Sequence, residues 1–144
     1  SSGLAAEEMA TRFRWIGIEV TALRDNENMR MQTVFLNRHD LVIGLSLSGT
    51  KSEVLYMLHR GFRQGARTLL ITEKNRQTYE EFCNEVLLVP SLQHLNYGNL
   101  ISPQFPLLLM IDILYAAYVN DDRTRIERIQ REIQRTLRGN NEER

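Results

Sequence analysis

Apolar and polar positions alternate along this chain in two distinct periods. Three short runs are almost continuously apolar: "DLVIGLS" (Asp40–Ser46), "RTLLIT" (Arg67–Thr72) and "EVLLVP" (Glu85–Pro90). Runs of that kind suit strands covered on both faces, as in parallel sheets. A fourth, "IEVTAL" (Ile18–Leu23), is β-branched, follows Gly17 and also predicts a strand. Between and after these runs the period lengthens to that of a helix. Leu4, Met9, Phe13 and Ile16 form one face, and Val54, Leu55, Leu58 and Phe62 another that stops at Gly65. "NRQTYEEFCNE" (Asn75–Glu85) predicts a shorter helix, and "FPLLLMIDILYAAYV" (Phe105–Val119) a long, mostly buried one. The last helical pattern, Asp122–Arg138, carries Ile126, Ile129, Ile133 and Leu137 as a narrow stripe suited to a core edge or a partner helix.

Strands alternating with helices predict an α/β fold of three layers around a mostly parallel sheet, with residues 1–138 as one domain and 139–144 as a solvated tail. The order begins with a helix, which suggests that a first central strand lies outside this chain. In such sheets ligands bind at the carboxyl ends of the strands. "LSLSGTKSE" (Leu45–Glu53) falls at one of those ends.

Bulk composition narrows the partners. Eighteen basic residues balance eighteen acidic ones, so the segment has no electrostatic footprint for nucleic acid. No apolar stretch reaches the roughly 20 residues of a membrane span, and the opening residues are not a signal peptide. A single cysteine, Cys83, cannot form an internal disulfide and reads as a core filler, consistent with a reducing cytoplasm.

The turn after the second strand allows two readings. In one, Thr50 caps the following helix, Glu53 reaches back to complete a capping box and Gly49 is a turn glycine. In the other, Ser46 and Ser48, two apart on an extended segment, face one anion. Gly49 then lets the backbone approach, and Lys51 adds charge at the helix N-terminus. Two serines beyond what a cap needs favour the anion. Ser2 before "LAAEEMA" and Ser102 before Pro103 are each an N-cap or a further hydroxyl for the ligand. His39, His59 and His94 lack metal-ligand spacing, and Glu80–Glu81 reads as a solvated face, so no metal, cofactor or acid–base pair is marked.

These residues, in this order, resemble a sugar isomerase (SIS) domain over nearly the whole chain. Ser46, Ser48, Gly49 and Glu53 match the family's strand followed by S-x-S-G and an acidic residue. "RGFRQGARTLLIT" (Arg60–Thr72) is similar to its next helix, glycine and strand. "YGNLISPQFPLLLMIDILYAAYV" (Tyr97–Val119), with Ser102 and Asp112, resembles the last segment of RpiR-type transcriptional regulators. Where family members place threonine two residues after the glycine, this chain has Lys51.

The resemblance implies a flavodoxin-like sheet and a sugar phosphate held by Ser2, Ser46, Ser48 and Ser102, its phosphate near Ser46 to Thr50. Gly49, Thr50, Lys51 and Glu53 complete the expected ligand-binding set. It further implies a non-enzymatic effector domain, a homodimer or higher homo-oligomer, of a cytoplasmic regulator that meets DNA only through a helix-turn-helix domain outside this chain. An aldose–ketose phosphate isomerase and an interaction module with a vestigial pocket are the alternatives.

Overall fold

A computed structural model describes residues 2–91 and 101–142. The elements run α1 (Ser2–Arg14), α2 (Asn26–Thr33), β1 (Leu41–Leu45), α3 (Ser52–Arg63), β2 (Arg67–Thr72), a 3₁₀ turn (Arg76–Thr78), β3 (Glu85–Leu88), α4 (Phe105–Asp121) and α5 (Arg123–Glu142). The three strands pair in parallel in the order β1–β2–β3. Leu41 lies beside Arg67 and Leu45 beside Ile71, while Leu69 lies beside Glu85 and Thr72 beside Leu88.

Because side chains alternate across a strand, each strand feeds both faces of this sheet. Val42, Leu70 and Val86 join Val54 and Leu58 of α3, Met29 of α2 and Phe82 in one core. Leu45 and Ile71 join Ala5, Met9 and Phe13 of α1, Leu107 and Ile111 of α4 and Ile126 of α5 in the other. Those two cores make the three layers of the expected α/β architecture. At Gly44 a Cβ would stand 2.8 Å from Val54 Cγ1 and 2.9 Å from Leu58 Cδ1, so the missing side chain is what lets α3 lie close against β1. Arg12 spans to Asp112 as an ion pair and lies over the Tyr115 ring at 4.2 Å, tying α1 to α4.

Several elements differ from the sequence expectation. Ile18–Leu23 is not a strand: Ile18, Val20, Ala22 and Leu23 are partly buried, but the segment joins no ladder. A ladder needs a neighbour about 4.8 Å away. A cavity of about 620 Å³, lined by Glu19 to Arg24 on one side and Leu41 to Leu45 on the other, stands where that neighbour would be. Helix α2 was not anticipated. Asp25 caps it, accepting from the Asn28 N–H at 2.9 Å, and that bond holds the Asp25 carboxyl below its ordinary range.

The expected helix over Asn75–Glu85 is only a 3₁₀ turn at Arg76–Thr78, followed by a turn in which the Phe82 and Cys83 N–H groups both close on the Tyr79 carbonyl. Helix α4 is less buried than its composition suggests, with Phe105 52 % and Ile113 53 % exposed. On α5, Ile126 is buried and Leu137 lies half exposed, and the helix continues through Glu142 into the stretch expected as a tail. Among the described residues no helix is long and apolar enough to cross a membrane.

Two outcomes check this packing. Gly44→Ala should lower unfolding stability by about 1–3 kcal/mol through overpacking, read as a shifted urea midpoint at unchanged slope. Cys83 is buried and its thiol is pushed up to about 11 by desolvation. It should therefore resist a thiol reagent at pH 8 in the native protein and react stoichiometrically once unfolded.

Candidate functional site

The ladder continues past the end of β1. The Ser46 N–H donates to the Ile71 carbonyl at 3.1 Å, and the Leu47 carbonyl accepts from the Glu73 N–H at 3.1 Å and the Thr72 hydroxyl at 3.2 Å. The chain then bends. The Gly49 N–H turns back to the Ser46 carbonyl at 3.1 Å and the Ser46 hydroxyl at 3.2 Å. Gly49 takes a φ of +67°, which favours glycine, and an added Cβ there would fall on the Tyr79 hydroxyl. That buried hydroxyl donates to the Gly49 carbonyl at 2.9 Å. The Ser48 hydroxyl accepts from the Thr50 N–H at 3.3 Å and bonds the Thr50 hydroxyl at 3.0 Å.

The turn is therefore bent rather than extended, and it separates the serines expected to share one face: Ser46 is buried and Ser48 exposed. The capping box does not form either. Lys51, not Thr50, occupies the cap position of α3, and its side chain makes no capping bond. Glu53 does not reach back; it is gripped by Arg30 of α2, at 2.8 Å from Nε and 3.0 Å from a terminal nitrogen, and Arg30 in turn lies over the Tyr56 ring at 4.5 Å.

The first intrahelical bond runs from the Leu55 N–H to the Lys51 carbonyl. The N–H groups of Ser52, Glu53 and Val54 accordingly meet no acceptor among the described residues. An α-helix N-terminus with open donors, beside a lysine, hydroxyls and a glycine, is suited to an anion.

The remaining candidates sit apart from this turn. Ser2, the first residue of α1, lines the cavity beside β1, as Lys51 does, so the structure brings those two to one space. Ser102 is exposed, and its hydroxyl and carbonyl accept from Gln104 and Phe105, at 3.2 and 3.0 Å. Helix α4 begins at Phe105 with Pro106 in its first turn, so Pro103 is not the first helical residue. His94 lies outside the described residues, His59 stacks on Phe82 at 3.6 Å between centroids, and Glu80 and Glu81 are exposed. No three metal-ligating side chains converge among the described residues. Arg30, Thr72, Lys74 and Tyr79 escaped the sequence reading. Thr72 and Lys74 could have been found, since they end and follow β2 at the same carboxyl edge.

The open helix N-terminus lies at the carboxyl edge of a parallel sheet, the edge at which ligands bind in open α/β sheets. The chain belongs to the SIS domain family, whose model matches residues 1–115. It is 31 % identical over 122 residues to an uncharacterized HTH-type transcriptional regulator of Haemophilus influenzae and 23 % identical over 120 residues to another from Clostridium perfringens. These matches take in 85 % and 83 % of this chain but 42 % and 43 % of the relatives, so the chain spans about two fifths of their length.

Among solved structures it resembles the Vibrio vulnificus NanR protein complexed with ManNAc-6P, at a TM-score of 0.80 and 18 % identity over 94 % of this chain and 51 % of that one. It also resembles the sugar isomerase domain of an RpiR transcription factor from Sphaerobacter thermophilus, at 0.76 and 18 % over 92 % and 73 %. These likenesses show the fold, and they bear out the expected SIS architecture.

The geometry of the turn gives a direct check. Tyr79→Phe should cost about 0.5–1.5 kcal/mol through loss of its bond to Gly49. Gly49→Ala should cost at least about 1–2 kcal/mol, because a Cβ meets both the left-handed backbone and Tyr79. Thermal denaturation of both variants beside the parent would reveal the order.

Proposed function

We propose that this domain is the effector-sensing part of a transcriptional regulator, and that it takes the phosphate of a sugar phosphate at the Ser46–Lys51 turn. The observation that carries the reading is the open first turn of α3, whose three N–H groups no side chain caps. Ser48, Thr50 and Lys51 add exposed hydroxyls and one charge beside them. Gly49 and the buried Ser46 shape the backbone, and Ser2 reaches the neighbouring cavity. Ser102, exposed three residues before α4, is the candidate for a further hydroxyl to the sugar.

That the Vibrio vulnificus NanR structure holds ManNAc-6P supports the ligand class, and the HTH-type relatives support the regulatory setting. Contact with DNA belongs to a part of the protein outside residues 1–144, and the domain acts as a homodimer in the cytoplasm. An isomerase would need a free base beside the substrate. Glu53, the carboxylate nearest the turn in sequence, is instead committed to Arg30, which favours sensing over catalysis.

A ligand at 100 times its dissociation constant stabilises a protein by about 2.7 kcal/mol. ManNAc-6P, screened with glucose 6-phosphate and their unphosphorylated sugars, should raise the melting temperature for at least one phosphate ester and for neither neutral sugar. Ser48→Ala should remove most of that rise. A folded protein that responds to none of them would instead be an interaction module with a vestigial pocket, and turnover of either ester would make it an isomerase.

A further inference from the structure

Sixteen of the eighteen basic residues are arginines; the only two lysines are Lys51 and Lys74. The fold brings Lys74 against Gly49, two residues before Lys51, although a helix and a strand separate the two lysines in sequence. Lys51 stands at the cap of α3. Lys74 follows β2, and its Cγ lies 3.1 Å from where a Gly49 Cβ would be, beside the Tyr79 hydroxyl that fills that space.

The backbone of Lys74 is anchored as well. Its N–H donates to the Thr72 hydroxyl at 3.3 Å, and that hydroxyl and the Glu73 N–H both bond the Leu47 carbonyl. Both lysines are exposed, and neither makes an ion pair among the described residues. Five arginines do: Arg12, Arg30, Arg123, Arg125 and Arg135. The acidic groups nearby do not quench the lysines, since Glu53 is neutralised by Arg30 and Glu73, though adjacent, is not bonded to Lys74.

The geometry points to Lys74 as the second cation of the anion seat: across Gly49, Lys51 and Lys74 hold a dianionic phosphate monoester from two sides. This rests on the sensing function proposed above. An ammonium is a mobile point charge on a flexible stem, suited to following a phosphate as it settles on the α3 N–H groups, whereas arginine is a rigid fork. Two cations facing one group also set its charge class. A phosphate monoester carries close to two negative charges at neutral pH, and a sugar carboxylate only one. Lys74 is thus the residue that makes the seat prefer phosphate esters to sugar acids.

The test uses the whole chain, with inorganic phosphate and ManNAc-6P as probes and glucuronate as the singly charged control. Reductive methylation with ¹³C labels both lysines and the chain's α-amine, and Lys51→Arg and Lys74→Arg assign the two lysine signals. The Lys74 and Lys51 signals should both move with phosphate, and neither should move with glucuronate at the same concentration. Lys74→Gln should weaken binding of either phosphate probe roughly tenfold or more, the loss expected for one charge-assisted hydrogen bond. Lys74→Arg should recover most of it, and the unliganded melting temperatures of both variants should match the parent, which separates charge from folding. If Ser48→Ala and Lys51→Gln weaken binding while Lys74→Gln does not, Lys74 is a bystander and the sensing function stands. If the parent binds neither phosphate probe, the sensing function and the role of Lys74 fall together.

Discussion

The backbone of β1 keeps bonding beyond its last residue, and the rest of the candidate site depends on this. Ser46 stays in the ladder with Ile71, and Leu47 is held by both Thr72 and Glu73. These bonds fuse the loop after β1 to the loop after β2 at the carboxyl edge of the sheet. The direction of the parallel ladder then decides where α3 begins and which way its first N–H groups face. Tyr79, drawn from a third stretch of chain, closes the arrangement by bonding the Gly49 carbonyl.

Much of this was legible as pattern. Buried parallel strands are apolar on both faces, and the three runs that meet that condition form the observed strands, with Arg67–Thr72 matching end to end. Ile18–Leu23 reads equally well as a strand because its burial alternates with period two. Hydrogen bonding to a neighbour is not a local property, however, and a cavity occupies the neighbour's place. Helix α2 was overlooked because "NENMRMQT" is polar; its formation rests on the Asp25 cap and on Met29 and Thr33 turning inward.

The candidate site was legible in its residue types but not in its bonding. "TKSE" satisfies the spacing of a capping box, yet Glu53 bonds Arg30, twenty-three residues earlier, in a forked pair backed by Tyr56. Two charged groups brought together by α2 and α3 outcompete a local cap, and sequence spacing carries no trace of that competition. The consequence reaches the site, because a helix start left without its cap keeps its donors open for something else. Tyr79 was missed for the same reason: it comes to Gly49 through the fold, not along the chain.

In the proposed function the open first turn of α3 receives the phosphate. Backbone amide shifts during a titration with ManNAc-6P test it most directly, since they read the N–H groups themselves. The account predicts that the largest shifts fall on Ser52, Glu53 and Val54, with Gly49 and Thr50 following, and that ManNAc without its phosphate leaves them in place. Saturable binding with its largest shifts elsewhere, and these five amides unmoved, would contradict it.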